Sequence, residues 1–156
     1  MKSTNMNIQK TDAELIHFFR RVSIPLARFG LFVIFFWFGL LKVIGLSPAS
    51  GLVQRLFEST IPWMSFSTFL IIFGLFEMLI GVLFIIKGAE RIVIPLLLIH
   101  MVTTFMPLFL LPEETWSGFM TPTLEGQYII KNMALIACAF GIAAHLHPLE
   151  FRRLRS

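Results

Sequence analysis

The stretch RFGLFVIFFWFGLLK, residues 28–42, decides the architecture, because thirteen residues without a charge separate Arg28 from Lys42. Taken back to Val22 and on to Val43, it reaches the roughly 20 mostly apolar residues that a helix needs to cross a bilayer. Three more runs of that kind follow, at about 66–86, 92–111 and 128–145. The last is the shortest and is built from Ala and Gly more than from Phe and Leu. The reading is an all-α polytopic membrane protein, a four-transmembrane-helix bundle with its first span at about 22–43, forming a single integral membrane domain over 1–156.

Composition agrees with this. Of 156 residues, 56% are hydrophobic, 18 are Phe and only 14% are charged. Mean hydropathy is +0.81. A soluble fold of this length has no interior large enough for that much apolar surface. The net charge is +4 and the pI about 9.7, but the basic residues cluster at helix ends and chain termini. Topology and anionic lipid account for them better than nucleic acid does. Cys138 is the one cysteine, so neither an intramolecular disulfide nor a CxxC thiol relay exists. The polar start, residues 1–10, does not read as a cleavable signal.

The connections carry structure of their own. Thr11-Asp12-Ala13-Glu14 is a T-x-x-E capping box, which predicts a helix start. Leu15, Phe18, Phe19 and Val22 follow at helical spacing, with Arg20 and Arg21 beside them. This predicts an N-terminal interfacial helix on the membrane surface, or else an extension of the first span. Ser47-Pro48 predicts the start of a short interfacial helix between spans one and two, with Leu52, Val53, Leu56 and Phe57 as its apolar face and Ile61-Pro62 as its end. Turn signals at Ser117-Gly118 and Thr121-Pro122 mark the loop between spans three and four.

Lys2, Lys10, Arg20, Arg21, Lys87, Arg91, Arg152, Arg153 and Arg155 fall on one side of this topology, and Lys42, Arg55 and Lys131 on the other. The positive-inside bias predicts that both termini are cytoplasmic. Trp63, Trp116 and Tyr128 form part of an outer aromatic belt.

Ionisable groups inside a span cost about 2.5–3.5 kcal/mol each on insertion scales, so the few present are the candidate ligand-binding or intramembrane polar residues: Arg28, Lys42, Glu77, His100 and Lys131. Glu77 shares one helix face with Gly74 and Gly81, where small residues admit a neighbouring helix. It is either a proton-carrying or cation-pairing carboxylate, or a structural one that fixes helix packing. His100 is followed by Thr103, Thr104 and Pro107 on one stripe. It either bonds Glu77 or a quinone carbonyl, or is a core histidine satisfied by a threonine. Arg28 either snorkels to the interface or partners an internal carboxylate. Lys42 and Lys131 either anchor their helices at the headgroups or form an outer anion pocket with Glu125 and Tyr128. His145 and His147 face different ways, and no metal site is expected. Ala134, Ala137, Cys138, Gly141 and Ala144 form a small-residue packing surface.

Two of these segments carry a family resemblance. Arg28 through Gly39 to Lys42 resembles the first helix of DoxX-like membrane proteins, and Gly74-Leu-Phe-Glu77-Met-Leu-Ile-Gly81 resembles their second. Within that superfamily, Phe36–Lys42, the segment Ser47–Trp63 and Leu124–Asn132 look most like the YkgB/RclC-type (reactive chlorine resistance protein C-like) inner-membrane proteins. The connection between spans one and two is shorter here. The resemblance implies a four-helix bundle associated with redox or oxidative-stress systems, with quinone as the implied cofactor or ligand and Arg28, Lys42 and Glu77 as the site. No catalysis is assigned. Two alternatives stay open: a non-catalytic accessory subunit of a larger membrane complex or homo-oligomer, and a small transporter or lipid-handling protein.

Overall fold

The structure is a computed structural model and describes residues 2–61 and 63–148, with side chains described from Gln9 onward. Pro62, the Lys2 side chain and Arg152, Arg153 and Arg155 of the sequence reading lie outside the described residues.

Among the described residues, four helices are long and apolar enough to cross a membrane. They are α1 (Lys2–Val43), α3 (Phe66–Ile85), α4 (Glu90–Phe105, carried on to Leu110 by the short α5, Pro107–Leu110) and α7 (Leu124–Ala143). Between α1 and α3 lies α2 (Ser50–Thr60); between α5 and α7 lie α6 (Pro112–Thr115) and a small antiparallel hairpin, β1 (Trp116–Gly118) and β2 (Thr121–Pro122). Contacts run α1 to α3, α3 to α4, α4 to α7 and α7 back to α1, which closes a four-helix ring.

The inner face of the ring has a polar–apolar–polar sequence. On α1 the inward positions are Arg28, Leu31, Phe35, Gly39 and Lys42, stepping by three or four as a helix stripe must. Leu31, Phe35, Ile80, Phe84, Val93 and Leu97 fill the middle. Arg28 with Glu90 closes one end of this apolar layer, and Lys42 with Glu77 and His100 closes the other. The outward stripe is apolar too: Leu26, Phe29, Val33 and Trp37 of α1 are 40–62% exposed. A surface of this kind is compatible with lipid and not with water.

Helices α1 and α3 approach each other backbone to backbone. A Cβ at Gly39 would lie 2.6 Å from the Gly74 carbonyl oxygen, and one at Gly81 would lie 2.8 Å from the Phe36 nitrogen. The glycines read from the sequence as a helix-packing face therefore serve as one.

Helix boundaries depart from the sequence reading in two places. The capping box at Thr11–Glu14 does not begin a helix: α1 runs unbroken from Lys2 to Val43, through Pro25, so the segment expected at the membrane surface and span one belong to a single helix. Helix α2 begins at Ser50 rather than at Ser47, because the Ser50 hydroxyl and amide both donate to the Ser47 carbonyl and hold Ser47–Ala49 as a turn. Its expected apolar face is correct, with Phe57 buried and Gln54, Arg55 and Glu58 exposed.

At the Lys42–Glu77 end of the bundle α2 packs on α3 and α5. Phe57 lies against Phe66 and Phe69, with ring centroids 5.8 and 4.8 Å away. The Thr123 side chain caps α7 by accepting from the Gly126 amide and also donates to the Glu114 carbonyl at 2.7 Å, tying α6 to the start of α7.

Candidate functional site: an ion-paired histidine cluster inside the bundle

Helix α1 ends early against α3. Lys42 lies level with Gly74, which is eight residues, or about 12 Å, beyond the start of α3. The last turn of α1 is thereby set inside the bundle, and Lys42 is only 7% exposed. Its ammonium donates to Glu77 Oε2 at 2.5 Å and lies 5.7 Å from the centre of the Phe73 ring. The headgroup-anchoring alternative for Lys42 does not describe this position.

Glu77 is 5% exposed and is supplied by the twelfth residue of α3. Its second oxygen, Oε1, faces His100 Nε2 at 3.3 Å. His100, from the middle of α4, is 4% exposed. The same Nε2 is 3.3 Å from Thr104 Oγ1, and the hydroxyls of Thr103 and Thr104 donate to the His100 carbonyl at 2.7 and 3.1 Å. Both partners considered for His100, the carboxylate and the threonine, are therefore at its Nε2. Phe35 meets the imidazole edge-on at 5.5 Å, Phe73 lies at 5.1 Å and Phe76 at 6.1 Å. Phe73 stacks on Phe69, so an aromatic column runs from Phe57 of α2 down to His100.

One atom of this cluster has no partner. Among the described residues, His100 Nδ1 is the buried side-chain nitrogen or oxygen left without a hydrogen bond. Buried polar atoms are nearly always satisfied, and an orphan costs about 1–3 kcal/mol. With Glu77 ionised opposite Lys42, the Nε2 proton is directed at the carboxylate or Thr104, and Nδ1 presents a lone pair. The site then offers an acceptor to a hydroxyl or amine donor. A proton taken up at Nδ1 would leave an imidazolium facing a carboxylate.

Arg28 is the partner of an internal carboxylate rather than a snorkelling cation. Its guanidinium pairs with Glu90 and donates to the Phe84 and Ile86 carbonyls, each at 2.8 Å. Those carbonyls belong to the end of α3 and the turn after it, where backbone acceptors lack helical partners. One planar fork thus joins α1, the α3 terminus and the first residue of α4. Glu90 escaped the sequence reading, since a carboxylate at a helix start is ordinarily solvated.

Lys131 is exposed, with its ammonium 5.3 Å from the Tyr128 ring centre. Lys42 and Lys131 take separate partners and do not form the outer pair considered from sequence. His145 and His147 are exposed, and the small-residue face of α7, including Cys138, points outward with Ala134, Ala137, Gly141 and Ala144 all exposed.

Fold and cluster together define a polytopic helical membrane protein with a Lys–Glu–His group buried in its bundle. No protein-family model, curated protein or solved structure matches the chain.

Proposed function

We propose that this chain is a DoxX-like inner-membrane protein, redox- or oxidative-stress-associated, that binds a quinone, quinol or similar lipophilic ligand beside His100. The carrying observation is the orphaned Nδ1 of a 4%-exposed imidazole, set among Phe35, Phe73 and Phe76 and backed by Glu77 and Lys42. Aromatic rings suit the flat face of such a ligand. The free lone pair at Nδ1 suits the hydroxyl of its reduced form. In this reading Lys42 holds Glu77 ionised, and Glu77 orients the ring.

The test is mass spectrometry of quinones extracted from the protein in native-lipid discs, against empty discs. Stoichiometric enrichment in the wild type, lost in a well-folded His100→Phe variant, is the expected result. Equal quinone in the protein-free discs would overturn the reading.

A second reading, the non-catalytic accessory subunit, draws on the outward face of α7. Ala134, Ala137, Cys138, Gly141 and Ala144 are exposed there on one stripe, and small residues let a further helix pack closely in lipid. Isolation in mild detergent as a lone monomer, with nothing co-purifying, would count against it.

A further inference from the structure

We infer that the segment Gln9–Arg21 of α1 is a hinged arm that lies on an anionic lipid surface at the Arg28–Glu90 end of the bundle. The helix is too long for the bilayer alone. Gln9–Val43 is 35 residues, about 52 Å at 1.5 Å per residue, against a hydrocarbon layer of about 30 Å.

The excess is not covered by the rest of the described chain. Every residue from Gln9 to Arg21 is exposed, including Leu15 at 50%, Phe18 at 58% and Phe19 at 59%. Helical geometry puts Leu15, Phe18, Phe19 and Val22 on the same stripe as Leu26, Phe29, Val33 and Trp37, within an arc of about 100°. The arm's apolar face is therefore the direct continuation of the lipid-facing surface of span one. Lys10, His17, Arg20 and Arg21 occupy the opposite side, with Glu14 beside them and Asp12 at the edge of the apolar stripe, so cations outnumber carboxylates on the arm.

That continuity fixes the direction of the fold. A straight continuation would hold two phenylalanines in water. Bending the arm outward, away from the bundle, turns the same stripe onto the leaflet, and no rotation about the helix axis is needed. Pro25 lies between arm and span and has no N–H to offer the Arg21 carbonyl, so the helix is already missing a bond where the bend must come. The basic side then faces the headgroup layer and water, where each cation near an anionic surface contributes about a fivefold preference.

The experiment uses the full chain in discs of phosphatidylcholine with phosphatidylglycerol. Single cysteines replace Lys10, Leu15, His17, Phe18 and Val22 in a Cys138→Ser background, each spin-labelled. The expected pattern is periodic: oxygen reaches labels at 15, 18 and 22, and a water-soluble nickel complex reaches those at 10 and 17. The paired change Arg20→Gln and Arg21→Gln is expected to cut the ratio of surface-bound to free arm about 25-fold. Nickel access at all five positions would mean a free arm and overturn the proposal. Shielding of all five from nickel and oxygen would mean a protein partner and overturn it equally.

Discussion

Gly39 and Gly74 face each other across α1 and α3 so closely that a methyl group on either would lie 2.6 Å from the other's carbonyl oxygen. This contact comes before the chemistry in the order of causes. It brings the last turn of α1 against the middle of α3, and only there does the Lys42 ammonium reach Glu77. Gly39→Ala is expected to destabilise the bundle by at least the ~1–3 kcal/mol typical of overpacking, because backbone has to move. Thermal unfolding in detergent measures this, and unchanged stability would show that the helices have slack.

Glu77→Gln leaves a buried ammonium without its counter-charge. Breaking one side of such a pair costs about 3–5 kcal/mol. The double change Lys42→Met with Glu77→Leu is expected to recover most of that loss, since it removes both charges. If the single variant were as stable as the wild type, the pair would have to be exchanging with water in the bundle.

His100 gives a spectroscopic prediction. Selective nitrogen-15 labelling is expected to show a neutral ring, with Nε2 protonated toward Glu77 or Thr104 and Nδ1 bare in the ligand-free protein. Two protonated nitrogens would mean that the Lys42–Glu77 pair does not hold the ring in this tautomer.

Arg28→Lys preserves charge and loses geometry. A lysine cannot pair with Glu90 and bond the Phe84 and Ile86 carbonyls together. Faster hydrogen exchange at the amides of the α3–α4 turn, 86–90, is the expected outcome, with little change at 97–101. Uniform exchange across both regions would deny the guanidinium its local role.

The Arg55–Glu114 pair offers a contrast. Its side chains are 59% and 36% exposed, and exposed pairs contribute about 0–1 kcal/mol. Glu114→Gln is therefore expected to leave unfolding nearly unchanged, and a loss comparable to that of Glu77→Gln would mean that the surroundings of this pair are far drier than its exposure implies.

Apolar run length made the four spans legible in the sequence, and the i−3, i+4 spacing of Gly74 and Gly81 about Glu77 made the packing face legible. His100 with Thr103 and Thr104 was readable for the same reason, as polar groups stand out in an apolar helix. Lys42 was not. A cation at the end of an apolar run looks like a headgroup anchor, and nothing in one dimension says that α1 stops level with the middle of α3. The aromatic enclosure was hidden by abundance: with 18 phenylalanines in the chain, no single one draws notice. The box at Thr11–Glu14 misled because a capping motif has the same letters whether the chain before it is coil or helix.

The early end of α1 also has an electrical consequence. Because Lys42 and Glu77 are held 2.5 Å apart, they act on a transmembrane voltage as one neutral dipole, and the field does almost no net work on them. A single unpaired charge carried across the membrane would instead feel about 2.3 kcal/mol per 100 mV. The resting cluster is thus silent to membrane potential, and a proton arriving at His100 from either side would be the first event there that voltage could speed or oppose.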